Sequence, residues 1–315
     1  MDTVCMRYLP ILLLATLLSS TACVSSGDSA DSVQSASEGN GSVSSATPST
    51  STDSTDTATT PTTDTGDIGS QSASWYKPPV AISWQWQLSG VVNIAHDVAL
   101  YDIDLFDTPQ QQIDELHLQG RHVICYFSAG SFEEWREDAT QFLDSEKGNT
   151  LDGWPGERWL DIRSGNTRKI MRQRLELAKQ KKCDGVEPDN VDGYVNNSGF
   201  DFSGEHQLEY NRFLATEAHN RGLSIGLKND LDQVVALEPY YDFAVNEQCF
   251  QYDECDLLTS FIEQGKPVLG AEYKSKYVND IEARDTMCSD ARSRQFSTLI
   301  LPINLNDAFR LSCAL

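Results

Sequence analysis

Ionisable side chains recur in this sequence where short apolar runs stop, and that pattern is where chemistry can be sought. The runs end in Tyr101-Asp102-Ile103-Asp104, Tyr126-Phe127-Ser128, Glu187-Pro188-Asp189-Asn190, Lys228-Asn229-Asp230, Asn246-Glu247-Gln248 and Glu272-Tyr273. Burying an uncompensated charge costs several kcal/mol, so carboxylates at such positions need a reason. Two facing carboxyl groups can divide acid and base work between them. The protonated one assists a departing oxygen, while the ionised one attacks carbon or activates water. Asp189 and Glu247 are placed for that division. Lys228, on the run between them, can hold their proton affinities apart, or it can serve as a salt bridge that neutralises the acidic surroundings. Asp102, Asp104, Asp192 and Asp230 have a second reading as helix caps. Trp84, Trp86, Tyr101, Tyr126, Tyr194 and Tyr273 lie at or near the same ends, as stacking platforms or as packing. Trp75, Trp135 and Trp159 are read as packing.

These residues need elements to position them. The apolar runs are Ser83 to Gln87, Val98 to Ile103, Val123 to Phe127, Gly185 to Glu187, Ser224 to Lys228, Phe243 to Glu247, Pro267 to Glu272 and Thr298 to Pro302. Amphipathic stretches of helical length separate them, which is the signature of repeated βα units around a parallel sheet. The fold class is therefore α/β, and eight strands in a chain of this length predict a single (β/α)8 TIM barrel over residues 75–315. Ile113, Leu116 and Leu118, after Thr108-Pro109, supply the apolar face of one helix. Arg168 to Lys182 reads as an outer-ring helix, and Glu205 to Arg221 as another that Gly222 terminates. In a barrel of this kind the chemistry sits at the carboxyl ends of the strands, where the ionisable residues fall.

The 315 residues carry 47 acidic and 24 basic side chains, a formal charge of -23. That balance argues against nucleic acid or an anionic membrane surface as principal partner and favours a cationic or neutral ligand. Residues 1–22 resemble a secretory signal peptide: Arg7 precedes the apolar run Tyr8 to Leu18, and small residues lead to Ala22 and Cys23. Cys23 is the expected lipidation site, so the chain is expected to be exported and held at the cell surface or outer membrane, with membrane contact only through that anchor. Residues 23–74, rich in Ser and Thr and without an aromatic residue after Cys23, read as a disordered linker. Six of the eight cysteines follow it. In an exported chain they suggest disulfides, Cys249 with Cys255 and Cys288 with Cys313. Cys125 with Cys183 would join neighbouring strands, a pairing that strand geometry disfavours. No His-Cys zinc spacing, phosphate-cradling glycine loop or strand-to-helix serine elbow appears, so no metal or cofactor is expected. An acidic surface is compatible with a monomer.

Six blocks, in order, resemble glycoside hydrolase family 114. They are Trp84-Gln85-Trp86-Gln87-Leu88, Tyr101-Asp102-Ile103-Asp104, Val123 through Glu133, Trp159-Leu160-Asp161-Ile162-Arg163, Cys183 through Tyr194, and Asn246-Glu247-Gln248-Cys249. The resemblance spans nearly all of residues 76–313. It implies an endo-α-1,4-polygalactosaminidase that cuts polymers of galactosamine and N-acetylgalactosamine, as found in biofilm matrices. It also maps the family's proposed catalytic pair to Asp189 and Glu247, here assigned as nucleophile and general acid/base. Trp84, Asp102, Tyr126, Glu187, Asn190, Asp192, Tyr194, Lys228, Asn229, Glu272 and Tyr273 are the expected substrate contacts. An inverting outcome stays open at this point, as do a carbohydrate-binding barrel without turnover, a hydrolase of another extracellular glycan, and a scaffold whose tether is the functional part.

Overall fold

A computed structural model describes residues 74–314. The signal segment, Cys23 and most of the linker lie outside them. The first strands are β1 (Trp84–Gln87), β2 (Leu100–Asp104) and β3 (His122–Ser128). A small antiparallel sheet follows, formed by β4 (Ser131–Glu133), β5 (Lys147–Thr150) and β6 (Glu157–Leu160) in the order β4-β6-β5. The main sheet resumes with β7 (Gly185–Asp189), β8 (Ser224–Lys228), β9 (Phe243–Glu247), β10 (Val268–Glu272) and β11 (Ser297–Ile300). From β1 to β11 every neighbouring pair in this sheet is parallel, and the short β12 (Leu311–Ser312) returns antiparallel against β11. All eight expected runs are strands, to within a few residues at their ends.

The helices are α1 (Gln110–Leu118), α2 (Gly165–Gln180), α3 (Gly204–His219), α4 (Val234–Leu237), α5 (Cys249–Tyr252), α6 (Thr259–Glu263), α7 (Ser275–Asn279) and α8 (Ile281–Ser293). Ser164 caps α2, its hydroxyl accepting from the backbone of Asn166 and Thr167, and satisfies donors that a helix start leaves free. Gly222, at φ +75°, turns the chain from α3 into β8. Two local expectations change. Among the described residues no helix joins β1 to β2, and Leu118 is exposed while Ile113 and Leu116 carry the buried face of α1.

Side chains alternate along the strands and build two cores. Trp84, Trp86, Leu100, Ile124, Phe243, Val245, Leu269, Ala271 and Leu299 form one buried cluster. Strands from both ends of the sheet contribute to it, as a sheet curled into a barrel requires. The Trp84 indole donates to the carbonyl of Ser297 at 2.8 Å and ties β1 to β11. The opposite faces, with Tyr101, Ile103, Val123, Phe127, Val186, Ile225 and Leu227, pack on Ile113, Ile170, Leu175, Tyr210 and Leu214 of the outer helices. Three disulfides brace the shell: Cys125–Cys183, Cys249–Cys255 and Cys288–Cys313. The first corrects the sequence expectation. Cys183 lies ahead of β7 in the turn leaving α2, so the bond is not a lateral bridge between strands, and the Cα atoms reach 6.0 Å.

Candidate active site

Register decides which side chains share the barrel interior. Tyr126 pairs with Glu187 and Ser128 with Asp189 across β3 and β7, while Asp102 of β2 is opposite Ile124 of β3. Asp102, Tyr126, Glu187, Asp189, Lys228 and Glu247 thus form an inward ladder, with Asp189 and Glu247 as the last residues of β7 and β9. Backbone strain clusters where these strands end. Asn190, Asn229, Asp230 and Gln248 follow Asp189, Lys228 and Glu247 directly, and all have positive φ, between 47° and 68°. Each such residue costs about 1–3 kcal/mol and persists only where its surroundings over-determine it.

Lys228 is the hub. Its ammonium lies 3.0 Å from Glu187 Oε1, 3.2 Å from Asp189 Oδ2 and 3.4 Å from Glu247 Oε2. The Trp86 ring lies beneath it, with its centroid at 4.7 Å. Burial pulls the ammonium's proton affinity down. Asp189, Glu187 and Glu247 more than reverse this and hold it well above the ordinary lysine value. Asp189 also accepts from the Tyr126 hydroxyl at 2.9 Å and from the Asn190 backbone at 2.6 Å. Glu247 accepts from the Tyr273 hydroxyl at 2.5 Å and from the Asn229 amide at 3.4 Å. The Asn229 side-chain oxygen Oδ1 in turn accepts from the Glu247 backbone N–H at 2.9 Å. Burial first, then the adjacent carboxylate, keeps both phenols protonated and donating.

Below this layer Asp102 meets Glu187, and neither has solvent access. No donor reaches either Asp102 oxygen, and Glu187 Oε2 is equally bare. Two such groups side by side share a proton. Burial and then Glu187 push Asp102 well above the carboxylate range, and burial lifts Glu187 to about 7 despite Lys228. Toward solvent, burial and Asp189 raise Asp192 to about 6, while burial and Asp192 raise Asp230 to about 8. The Tyr194 hydroxyl and the Asn211 amide steady Asp230.

The structure sorts the expected substrate contacts. Tyr126, Asn190, Asp192, Tyr194, Asn229 and Tyr273 are partly accessible around Asp189 and Glu247. Trp84, Asp102 and Glu187 are corrected, because their side chains are sealed within the barrel. Lys228, 2% exposed, is spent on the three carboxylates. Glu272 points the other way, since Ala271 takes the inward position of β10. Its carboxylate accepts the Phe250 backbone N–H at 2.8 Å and caps α5. Asp104 is structural too, paired with Arg136 at 2.6 Å and capping Phe106 and Asp107. Of the aromatic platforms, Trp86 and Tyr101 are also buried, whereas Trp135, read as packing, is 52% exposed. Ser128, Ser131 and Glu157, behind Asn190, had no role from sequence. Only the polar run Ser128-Ala129-Gly130-Ser131 marked their neighbourhood. Among the described residues no group of His, Cys, Asp or Glu is arranged to hold a metal ion.

Comparison with known proteins places this geometry. No curated protein sequence matches the chain. Among solved structures, Ega3 of Aspergillus fumigatus in complex with galactosamine is 43% identical over 76% of this chain and 98% of its own, with a TM-score of 0.72. The glycoside hydrolase domain of PelA from Pseudomonas aeruginosa is 16% identical over 73% of this chain and 98% of its own, with a TM-score of 0.59, a likeness of fold alone. The model of glycoside hydrolase family GH114 matches residues 67–315. The eight-stranded barrel with paired carboxylates at its mouth belongs, by that match, to a glycoside hydrolase of family GH114.

Proposed function

We propose that the protein is an endo-acting hydrolase of α-1,4-linked galactosamine and N-acetylgalactosamine polymers, with Asp189 as nucleophile and Glu247 as general acid/base. The observation that carries this reading is the shared ammonium. The two carboxylate oxygens lie 3.2 and 3.4 Å from one nitrogen, so Asp189 and Glu247 face the same point at the barrel mouth, within a few ångströms of each other. That proximity favours the arrangement of carboxyls about 5–5.5 Å apart that suits direct attack and a covalent glycosyl intermediate. Roles follow from surroundings. Asp189 has the shorter lysine contact, is flanked by a phenol and a backbone donor, and its side chain is 18% exposed. Those donors hold the carboxylate in the fixed orientation that attack on carbon needs. Glu247, 28% exposed and farther from Lys228, is the better placed to exchange its proton with water.

The likeness to Ega3, solved with galactosamine, supports an amino sugar as the repeating unit. A deacetylated galactosamine unit carries an ammonium group near neutrality. Asp192, partly accessible and close to Asp189 and Glu247, adds its carboxylate to theirs, so the mouth is electrostatically suited to it. The chain is proposed to be exported and surface-anchored through Cys23, to act as a monomer and to need no cofactor. The test is incubation of the protein with partly deacetylated α-1,4-galactosaminan and, separately, with neutral glucans. Proton NMR of the first products reads the anomer. Shortened oligomers from the first polymer alone, released as the α-anomer, support the reading. The β-anomer overturns the nucleophile, and cleavage of a glucan alone overturns the substrate.

A further inference from the structure

Behind Asp189 lies a buried hydrogen-bond chain that the reaction itself does not use. The Asn190 side-chain amide donates to Ser128 Oγ at 2.9 Å, and Ser128 and Ser131 share a hydroxyl contact of 2.6 Å. The Ser131 hydroxyl donates to Glu157 Oε2, also at 2.6 Å. Because that hydrogen is committed to Glu157, Ser128 must be the donor between the serines, and the chain has one direction, from Asn190 to Glu157. Ser128 Oγ also accepts the Ser131 backbone N–H at 3.0 Å, so it has no spare capacity for a reversed chain. Ser128 and Ser131 are fully buried and Glu157 is 7% exposed.

The other end of the chain reaches the site. The Asn190 backbone N–H holds Asp189 Oδ1 at 2.6 Å, with Asn190 in the left-handed region at φ +60°. Ala129 and Gly130 donate to the Asp189 carbonyl at 2.8 and 3.0 Å. Gly130 has to be glycine here, since a Cβ would fall 1.7 Å from the Asn190 carbonyl oxygen. The peptide that presents the carboxylate is therefore clamped against the turn between β3 and β4, and the Asn190 side chain is its anchor.

We propose that Glu157 is a positioning residue for Asp189, acting through Ser131, Ser128 and Asn190 to fix the orientation of the attacking carboxylate. This rests on the reading of Asp189 as nucleophile. The chain needs an ionised acceptor at its end, and Glu157 titrates in a range where that matters. Burial lifts it to about 7 against the Ser131 hydrogen bond. The charged groups facing it are Glu133 and Arg136 from the β4 segment and Asp189 from β7, with the Tyr126 phenol from β3. Loss of the Glu157 charge weakens the terminal acceptor and loosens Asn190.

Three variants separate this role from simple packing. Ser131→Ala keeps the Glu157 charge but cuts the chain. It is expected to lower kcat roughly ten- to a hundred-fold, with KM within about two-fold and the melting temperature only a few degrees lower, the cost of leaving Glu157 without its donor. Glu157→Gln offers a neutral acceptor at every pH, so it is expected to keep only the reduced rate of the wild type with Glu157 protonated and to lose the acid-side inflection near pH 7. Glu157→Leu loses rate at every pH. A pH profile of Glu157→Gln that superimposes on wild type overturns the proposal, as does a wild-type kcat for Ser131→Ala. A second readout does not depend on turnover. In protein labelled with 15N-asparagine, the Asn190 side-chain amide is expected to titrate near pH 7 in wild type and to stay fixed in Glu157→Gln. An Asn190 signal that does not move in wild type overturns the chain even if the polymer is not the substrate. A moving signal without cleavage refutes the function and leaves the chain standing.

Discussion

Replacing Lys228 with methionine removes the one cation that Glu187, Asp189 and Glu247 share, at 3.0, 3.2 and 3.4 Å, and leaves a side chain of similar volume. Lys228 is 2% exposed, so solvent cannot take its place without opening the barrel. Removing one partner from a buried ionic cluster costs about 3–5 kcal/mol, because the remaining charges keep their desolvation penalty. In a domain of this size about 1 kcal/mol moves the melting temperature about 2–4 °C, so a fall of roughly 6–20 °C is expected at pH 7. The sign is definite. The folded lysine is held above its unfolded value, so its contribution is full below pH ~10 and is lost only as pH rises through the folded value. Activity should respond separately. Without the cation the carboxylates repel one another unscreened, and the acid limb of kcat/KM should move to higher pH. Differential scanning calorimetry reads the first effect and a pH–rate series the second. Adding Glu187→Gln to the variant should recover part of the stability and none of the activity, since it removes one orphaned charge deep in the barrel. A Lys228→Met protein with wild-type melting temperature and an unshifted profile would refute the ion-cluster account.

The shared proton between Asp102 and Glu187 predicts that Asp102→Asn, which still donates to Glu187, stays within about 1 kcal/mol of wild type in chemical denaturation. Asp102→Leu, which leaves Glu187 Oε2 without a donor, should lose about 1–3 kcal/mol. Several buried carboxyls, including Glu157, Glu187 and Glu272 at about 7, sit above their unfolded values through burial. Their contribution to stability is full below their unfolded value of ~4.3 and is lost as pH rises through about 7, so the melting temperature should rise on going from pH 8 to pH 5. A flat or opposite trend would contradict that burial. Opening the Cys125–Cys183 bond, which spans 58 residues, should cost about 4 kcal/mol in the chain-entropy account, read as a shifted denaturation midpoint in the Cys125→Ser/Cys183→Ser protein.

Strand positions were legible because each barrel strand is a short apolar run between turn residues, a local signal. Depth was not. Glu187 and Asp189 share one strand and one face, and only the register with Tyr126 and Ser128 sends the first into the barrel and the second to its rim. Strands buried on both faces carry no polar alternation to mark which parity points inward. That is why Trp84 and Glu272 looked like mouth residues, although one packs against β11 and the other caps α5. The three-stranded insertion escaped because β5 reads Lys-Gly-Asn-Thr, with neither β-branched repetition nor an apolar face. Glu157 was invisible for a related reason: its partners Ser131 and Ser128 are 26 and 29 positions earlier in the chain.

The central claim is that Asp189 and Glu247 together break the glycosidic bond. Its most direct test is the single-turnover rate of Asp189→Asn and Glu247→Gln on a defined α-1,4-galactosamine oligomer, with oligomer binding measured in parallel. Both variants are predicted to bind near wild-type affinity and to cleave at least about 10³-fold more slowly. Cleavage by either variant at the wild-type rate would contradict the account.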